Sequence, residues 1–87
     1  MERVLVRLLF FAKSREIVGH KEIEFEVDIS TTPRLFLNSL LREYPGLSAV
    51  AQNIVLSLNG EYLDTNDQEL ILRTGDELAI IPPISGG

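Results

Sequence analysis

Apolar residues fall on every second position near the start of this chain. Val4, Val6, Leu8 and Phe10 share one parity and give an extended segment over residues 4–11 one fully apolar face. The other parity is mixed, with Leu5, Arg7, Leu9 and Phe11. Alternation returns over residues 21–27, where Ile23, Phe25 and Val27 interleave with Glu22, Glu24 and Glu26. That pattern predicts a strand with one wet side. The two strands are close in sequence, which predicts that they pair as a hairpin. A helical turn through residues 13–17, ending at Gly19, is expected between them.

The period then changes. Thr32 offers a hydroxyl cap and Pro33 suits the first position of a helix. Phe36, Leu37, Leu40, Leu41 and Tyr44 follow at helical spacing and make one apolar stripe. Pro45-Gly46 stops the helix. Residues 54–58 predict another strand, Asn59-Gly60 a tight hairpin turn, and residues 61–63 a short returning strand. Thr65, Asn66 and Asp67 mark a turn, and Thr74, Gly75 and Asp76 another, before a last strand over residues 77–81. The order is strand, strand, helix, strand, short strand, strand. One main helix covers only one face of such a mixed sheet. This is the α+β order of the β-grasp fold, the fold of ubiquitin. Residues 1–81 form the predicted domain, and residues 82–87 a flexible tail.

Composition narrows the function. Eighty-seven residues make one domain, near the lower end of what folds alone. Thirteen acids against eight bases give a net charge of −5, which argues against nucleic acid as a partner. An acidic surface suits a basic protein partner, or simply solubility. There is no cysteine, so no disulfide framework, no thiolate-ligated metal and no thiol on which to carry sulfur. The run "VLVRLLFFA", residues 4–12, is broken by Arg7 and is far too short to span a bilayer. It reads as a buried strand, no membrane partner is implied, and the cytoplasm is the expected location.

Catalytic chemistry is thin. Metal sites need clustered ligands, and the single histidine, His20, stands in a loop beside Gly19 and reads as solvated. No Ser-His-Asp or Cys-His set can be assembled. Asn59-Gly60 and Gly75-Asp76 fit no phosphate-binding spacing and read as turn punctuation. Glu22, Glu24 and Glu26 read as the wet face of a strand. The chain is therefore not expected to catalyse a reaction alone, or to bind a metal or a cofactor.

The end of the sequence is the exception. "GDELAIIPPISGG", residues 75–87, runs from a turn through a strand into two prolines and then two glycines. Pro82 and Pro83 cannot extend a strand ladder and favour an extended chain. Gly86 and Gly87 carry no Cβ and accept backbone angles closed to other residues. A stiff spacer with a slim tip is shaped for insertion into a narrow channel, such as one that delivers a C-terminal carboxylate to ATP.

"GDELAIIPPISGG" closely resembles the C-terminus of the small subunits of molybdopterin synthase, the MoaD family. "LFFAKSREIVG", residues 9–19, resembles that family's first strand and following loop. The similarity spans essentially the whole chain in order and length, although residues 22–52 are generic β-grasp. The resemblance implies a sulfur carrier. The carboxylate of Gly87 would be adenylated by an ATP-using enzyme of the ubiquitin-activating type, then converted to a thiocarboxylate. The tail would enter the large catalytic synthase subunit, in a heterotetramer, and give its sulfur to the pterin precursor of molybdenum cofactor. Gly87 would be the reactive end, Gly86 the neck, and Pro82, Pro83, Ile84 and Ser85 the inserted arm. ATP would belong to the activating enzyme. Arg15 matches the family's basic loop residue and reads equally as a plain surface arginine or a partner contact.

Parity also predicts where a partner sits. With the helix on one face, Leu5, Leu9 and Phe11 of the first strand lie on the other, joined by Ala79 and Ile81 of the last. Exposed apolar area of this kind marks an interaction surface, unless residues 12–19 fold back over it. Three other readings share the fold and the diglycine: a thiamine-pathway sulfur carrier, a ubiquitin-related modifier of lysines, and a binding module whose tail is incidental.

Overall fold

A computed structural model describes residues 2–63 and 68–82 of the chain. In chain order the described elements are β1 (Arg3–Phe10), α1 (Ala12–Val18), β2 (Glu22–Asp28), β3 (Ser30–Thr31), α2 (Pro33–Glu43), β4 (Val55–Leu58), β5 (Glu61–Tyr62), β6 (Leu70–Ile71) and β7 (Glu77–Ile81). Two 3-10 turns, Pro45–Ala49 and Ala51–Asn53, link α2 to β4. The turn expected at residues 65–67 lies outside the described residues.

β1 and β2 form the expected hairpin, with Val4 opposite Val27 and Leu8 opposite Ile23. β7 then lies parallel to β1, and β4 antiparallel to β7, so the five-stranded sheet runs β2-β1-β7-β4-β5. This mixed sheet is the ubiquitin-like β-grasp arrangement. Asn59 and Gly60 turn β4 into β5 with φ of 51° and 88°. Two consecutive left-handed residues suit the right-handed twist of a hairpin, which explains why Gly follows Asn here.

The even face of β1 is buried as its alternation predicts: Val6, Leu8 and Phe10 are inaccessible or nearly so. They pack with Leu56, Leu78 and Ile80 from β4 and β7, and with Phe36 and Leu40 from α2. Each such side chain contributes about 1.5–3 kcal/mol of transfer free energy. Leu37, Leu41 and Tyr44 pack against the rim of this core. At the start of α2 the Thr32 hydroxyl accepts the Leu35 N–H at 3.2 Å, and Pro33 follows at the first helical position. The helix ends at Glu43, just before Pro45.

Three features go beyond the sequence reading. The segment after β1 is a seven-residue helix rather than one turn, and Phe11 leaves the strand to cap it. α1 reaches the 3-10 turn on the helix-covered side: an added Cβ at Gly46 would stand 3.0 Å from the Ile17 Cγ2, a tight contact that glycine avoids. Lastly, β3 and β6 form a separate two-stranded sheet, with Thr31 opposite Leu70. Two-residue strands are too short for alternation to reveal.

Candidate functional site

The site expected from the sequence grows out of the end of β7. Pro82, the last described residue, is buried. The arm and tip read from the sequence, Pro83, Ile84, Ser85, Gly86 and Gly87, lie outside the described residues. What the structure places is the root from which they depart.

The root is held from two sides. Within the sheet, Ile80 is paired with Phe10 of β1 and with Leu56 of β4, and Ile81 with Val55. Beyond the sheet, Ser14 of α1 is fully buried. Its hydroxyl lies 2.7 Å from the Phe11 carbonyl and 3.2 Å from the Ile80 carbonyl, and accepts the Phe11 N–H at 3.2 Å. The Phe11 N–H also reaches the Ile80 carbonyl at 3.3 Å. A buried hydroxyl must find partners, and here its partners tie the helix after β1 to the end of strand β7. Ala12, between them, has a φ of 50°. Left-handed backbone disfavours a side chain, and at Ala12 it swings the chain from β1 into α1.

Register places the expected partner face. Leu9 is opposite Ala79, Ala79 opposite Ser57, and Ser57 opposite Tyr62, so all four share the face away from α2. Ile81 and Val55 form the next row on that face. Phe11 is 49% exposed, Val55 43% and Tyr62 73%, while Leu9 and Ile81 are half-buried and Ala79 is only 8% exposed. The apolar area around the root is therefore built from Phe11, Val55, Tyr62 and the flanks of Leu9 and Ile81. Val55 and Tyr62 were not singled out from the sequence, since only the pairing of β4 with β7 brings them beside Ile81. α1 leaves this face open, because Ile17 and Val18 pack against the core on the opposite side.

The other half of the same face is polar. Arg7 Nε donates to the Glu22 carboxylate at 2.9 Å and its Nη1 lies 3.7 Å from Glu77. Arg3 pairs with Glu26 at 3.1 Å and with Asp28 at 3.8 Å. The hydrogen bond and charge of Glu22 push the Arg7 guanidinium further above its ordinary pKa, so it stays charged throughout the working range. Leu5 sits exposed among these pairs. Arg15, in the last turn of α1, is exposed and forms no ion pair among the described residues, whereas Lys13 pairs with Glu16 at 3.5 Å. His20 is exposed. Among the described residues no group of His, Cys, Asp and Glu could hold a metal, and no helix is long and apolar enough to cross a membrane.

A profile described as the ThiS family matches residues 8–87. A protein of Chlamydomonas reinhardtii named molybdopterin synthase sulfur carrier subunit is 42% identical over 82 residues, 94% of this chain and 98% of that one. The solution structure of small archaeal modifier protein 1 from Methanosarcina acetivorans superposes with a TM-score of 0.78 at 26% identity, covering 100% of both chains. A chain in a complex of subunits 1 and 2 of molybdopterin-converting factor from Helicobacter pylori superposes with a TM-score of 0.61 at 26% identity, covering 97% of this chain and 100% of that one.

Proposed function

We propose, from the premise that this chain belongs to the ThiS family, that it is the sulfur-carrier subunit of a molybdopterin synthase. It is a small, non-catalytic donor: the chemistry happens on its tail, inside partners. The observation that carries this reading is the 42% identity to a sulfur carrier subunit that the chain covers almost end to end.

In the proposed cycle a carboxylate oxygen of Gly87 attacks the α-phosphorus of ATP on an activating enzyme, and pyrophosphate leaves. A carboxylate is a poor electrophile, whereas the acyl adenylate carries a good leaving group. A sulfur nucleophile then displaces AMP, and Gly87 ends as a thiocarboxylate. At neutral pH that group is ionised and nucleophilic, so the carrier needs no cysteine, in keeping with its composition. The tail enters the large synthase subunit and donates sulfur to the pterin precursor. The apolar rows around the root (Phe11, Leu9, Val55, Tyr62 and Ile81, with Ala79 beneath them) are the proposed docking face for that subunit, with Arg15 at its margin. The Helicobacter pylori complex supports a large-subunit partner and a heterotetrameric synthase is the proposed assembly. The cytoplasm, where ATP is available, is the proposed setting.

The likeness to a small archaeal modifier protein favours one other reading, attachment to lysines. The deciding experiment expresses the chain in a mutant lacking the synthase small subunit. Restored molybdenum-enzyme activity, with an oxygen-to-sulfur mass change at the terminus, is expected. Conjugates to many proteins without restored activity would replace this reading with the modifier one.

A further inference from the structure

β2 is the outermost strand of the sheet, and among the described residues no strand lies against its outer edge. It is seven residues long, against two for β5 at the opposite edge. The ladder with β1 fixes which groups point outward. Phe10 N–H donates to the Lys21 carbonyl at 2.9 Å and Ile29 N–H to the Glu2 carbonyl at 3.1 Å. Odd-numbered residues along β2 therefore turn their peptide groups toward β1, and Glu22, Glu24 and Glu26 turn theirs outward. Arg3 covers one of these, the Glu26 carbonyl, at 3.0 Å. The groups of Glu24 are the centre of what is left.

Beside this edge runs a groove toward α2, in which Phe25, Phe36 and Leu35 form an apolar patch bordered by the polar side chains of Ser39, Arg42 and Glu43. Phe25 and Phe36 meet edge to face with ring centroids 6.2 Å apart, and Leu35 is exposed on the groove's wall. A free edge beside an apolar patch is a template for an added strand. Such a strand would place side chains of one parity over Phe25 and Leu35. The other parity would stand beside the Glu22, Glu24 and Glu26 carboxylates. Glu22 and Glu26 are already paired with Arg7 and Arg3, and Glu24 has no salt bridge of its own among the described residues.

The charge selects the occupant. A second copy of this chain would bring its own acidic row against this one, and like charges opposite each other in a sheet destabilise the pair. We infer that the outer edge of β2 receives an extended segment of a partner protein in which apolar residues alternate with Lys or Arg. The surface lies across the sheet from the β4–β5 side of the tail root, and the inference does not depend on whether Gly87 carries sulfur.

The test is an NMR titration of the full-length, isotope-labelled chain with a capped synthetic peptide of alternating valine and lysine. Shift changes are expected at residues 22–28 and at Leu35, with binding weakened as salt rises from about 0.05 to 0.5 M. Methylating the peptide nitrogens that face β2 should abolish binding, while methylating those that face away should not. Glu24→Lys, at an exposed position, should weaken binding about fivefold. Equal binding of a valine–glutamate peptide, shifts centred elsewhere, or no shifts at all would overturn the inference. So would concentration-dependent shifts along β2 in the free chain, which would make a second copy the occupant.

Discussion

The hydroxyl of Ser14 lies 3.2 Å from the carbonyl oxygen of Ile80, joining positions 66 residues apart. One proton is shared between that carbonyl and the carbonyl of Phe11, and both ends of the link are buried or nearly so. The direction in which β7 hands the chain to Pro82 is thereby set by a residue of the first helix.

Ser14→Ala removes the link and leaves buried backbone groups short of a partner. Stability should fall by about 1–3 kcal/mol, the cost of such an orphaned group. Thermal and urea melts of the two proteins measure it. A loss within error of zero would mean that the Phe11 N–H alone satisfies Ile80.

Ala12 carries a positive φ, so glycine should suit it. An alanine-to-glycine change elsewhere in a helix typically costs about 0.5–1 kcal/mol. At Ala12, relief of left-handed strain of about 1–2 kcal/mol opposes that cost, and Ala12→Gly should leave stability unchanged or raise it. A clear drop in melting temperature would contradict the backbone geometry at this junction.

Any residue added after Gly87 should abolish sulfur loading and leave the fold intact. The proposed chemistry uses the free carboxylate of Gly87, and an extension converts it to an amide. Mass spectrometry after incubation with ATP, the activating enzyme and a sulfur source reads the outcome. Sulfur gained by an extended, unprocessed chain would refute the terminal-carboxylate mechanism.

Gly86→Ala should separate stability from activation. The melt should shift by less than about 0.5 kcal/mol, as for a surface position without a special role. ATP–pyrophosphate exchange with the cognate activating enzyme should slow strongly, because the added methyl also removes conformations open only to glycine. Normal exchange would show that the neck is not read sterically at that step.

Phe11→Asp and Val55→Asp should each weaken binding to the large synthase subunit while the circular dichroism spectrum is retained. Both side chains are only about half covered beside the tail root, so less folding energy is lost with them than with a fully buried neighbour such as Ile80. Burial of an apolar anchor at an interface centre is worth about 2 kcal/mol or more, and titration calorimetry resolves that. Unchanged affinity in both would place the docking face elsewhere.

The strands and the main helix were legible because each obeys one period over enough residues. Val4 to Phe10 alternates over four inward positions, and Phe36 to Tyr44 keeps a helical stripe. Turns were legible where chemistry forces them, as at Asn59-Gly60. β3 and β6 were not, since two residues define no period and their pairing joins Ser30 to Ile71 across a long stretch of chain. At the site, the parity of Leu9 pointed to the face of β1 away from α2, and the register places it there. Ala79 looked like part of the exposed surface, but its neighbours Leu9 and Ser57 in the register cover it. Ser14 gave no signal at all: a serine in a single expected helical turn shows no buried side until the fold brings β7 beside it.

Parallel pairing of the first and last strands also decides how the molecule bears force. β1 enters at one pole of the sheet and β7 leaves at the other, with Arg7 to Phe10 laddered against Glu77 to Ile80. A pull on the tail, resisted at the start of β1, runs along both strands in opposite senses. It loads every rung of that ladder together in shear, instead of peeling rungs one after another from an end. β4 braces β7 on its other side from Val55 to Leu58. Pulled between those two ends, the domain resists with the whole β1–β7 ladder at once.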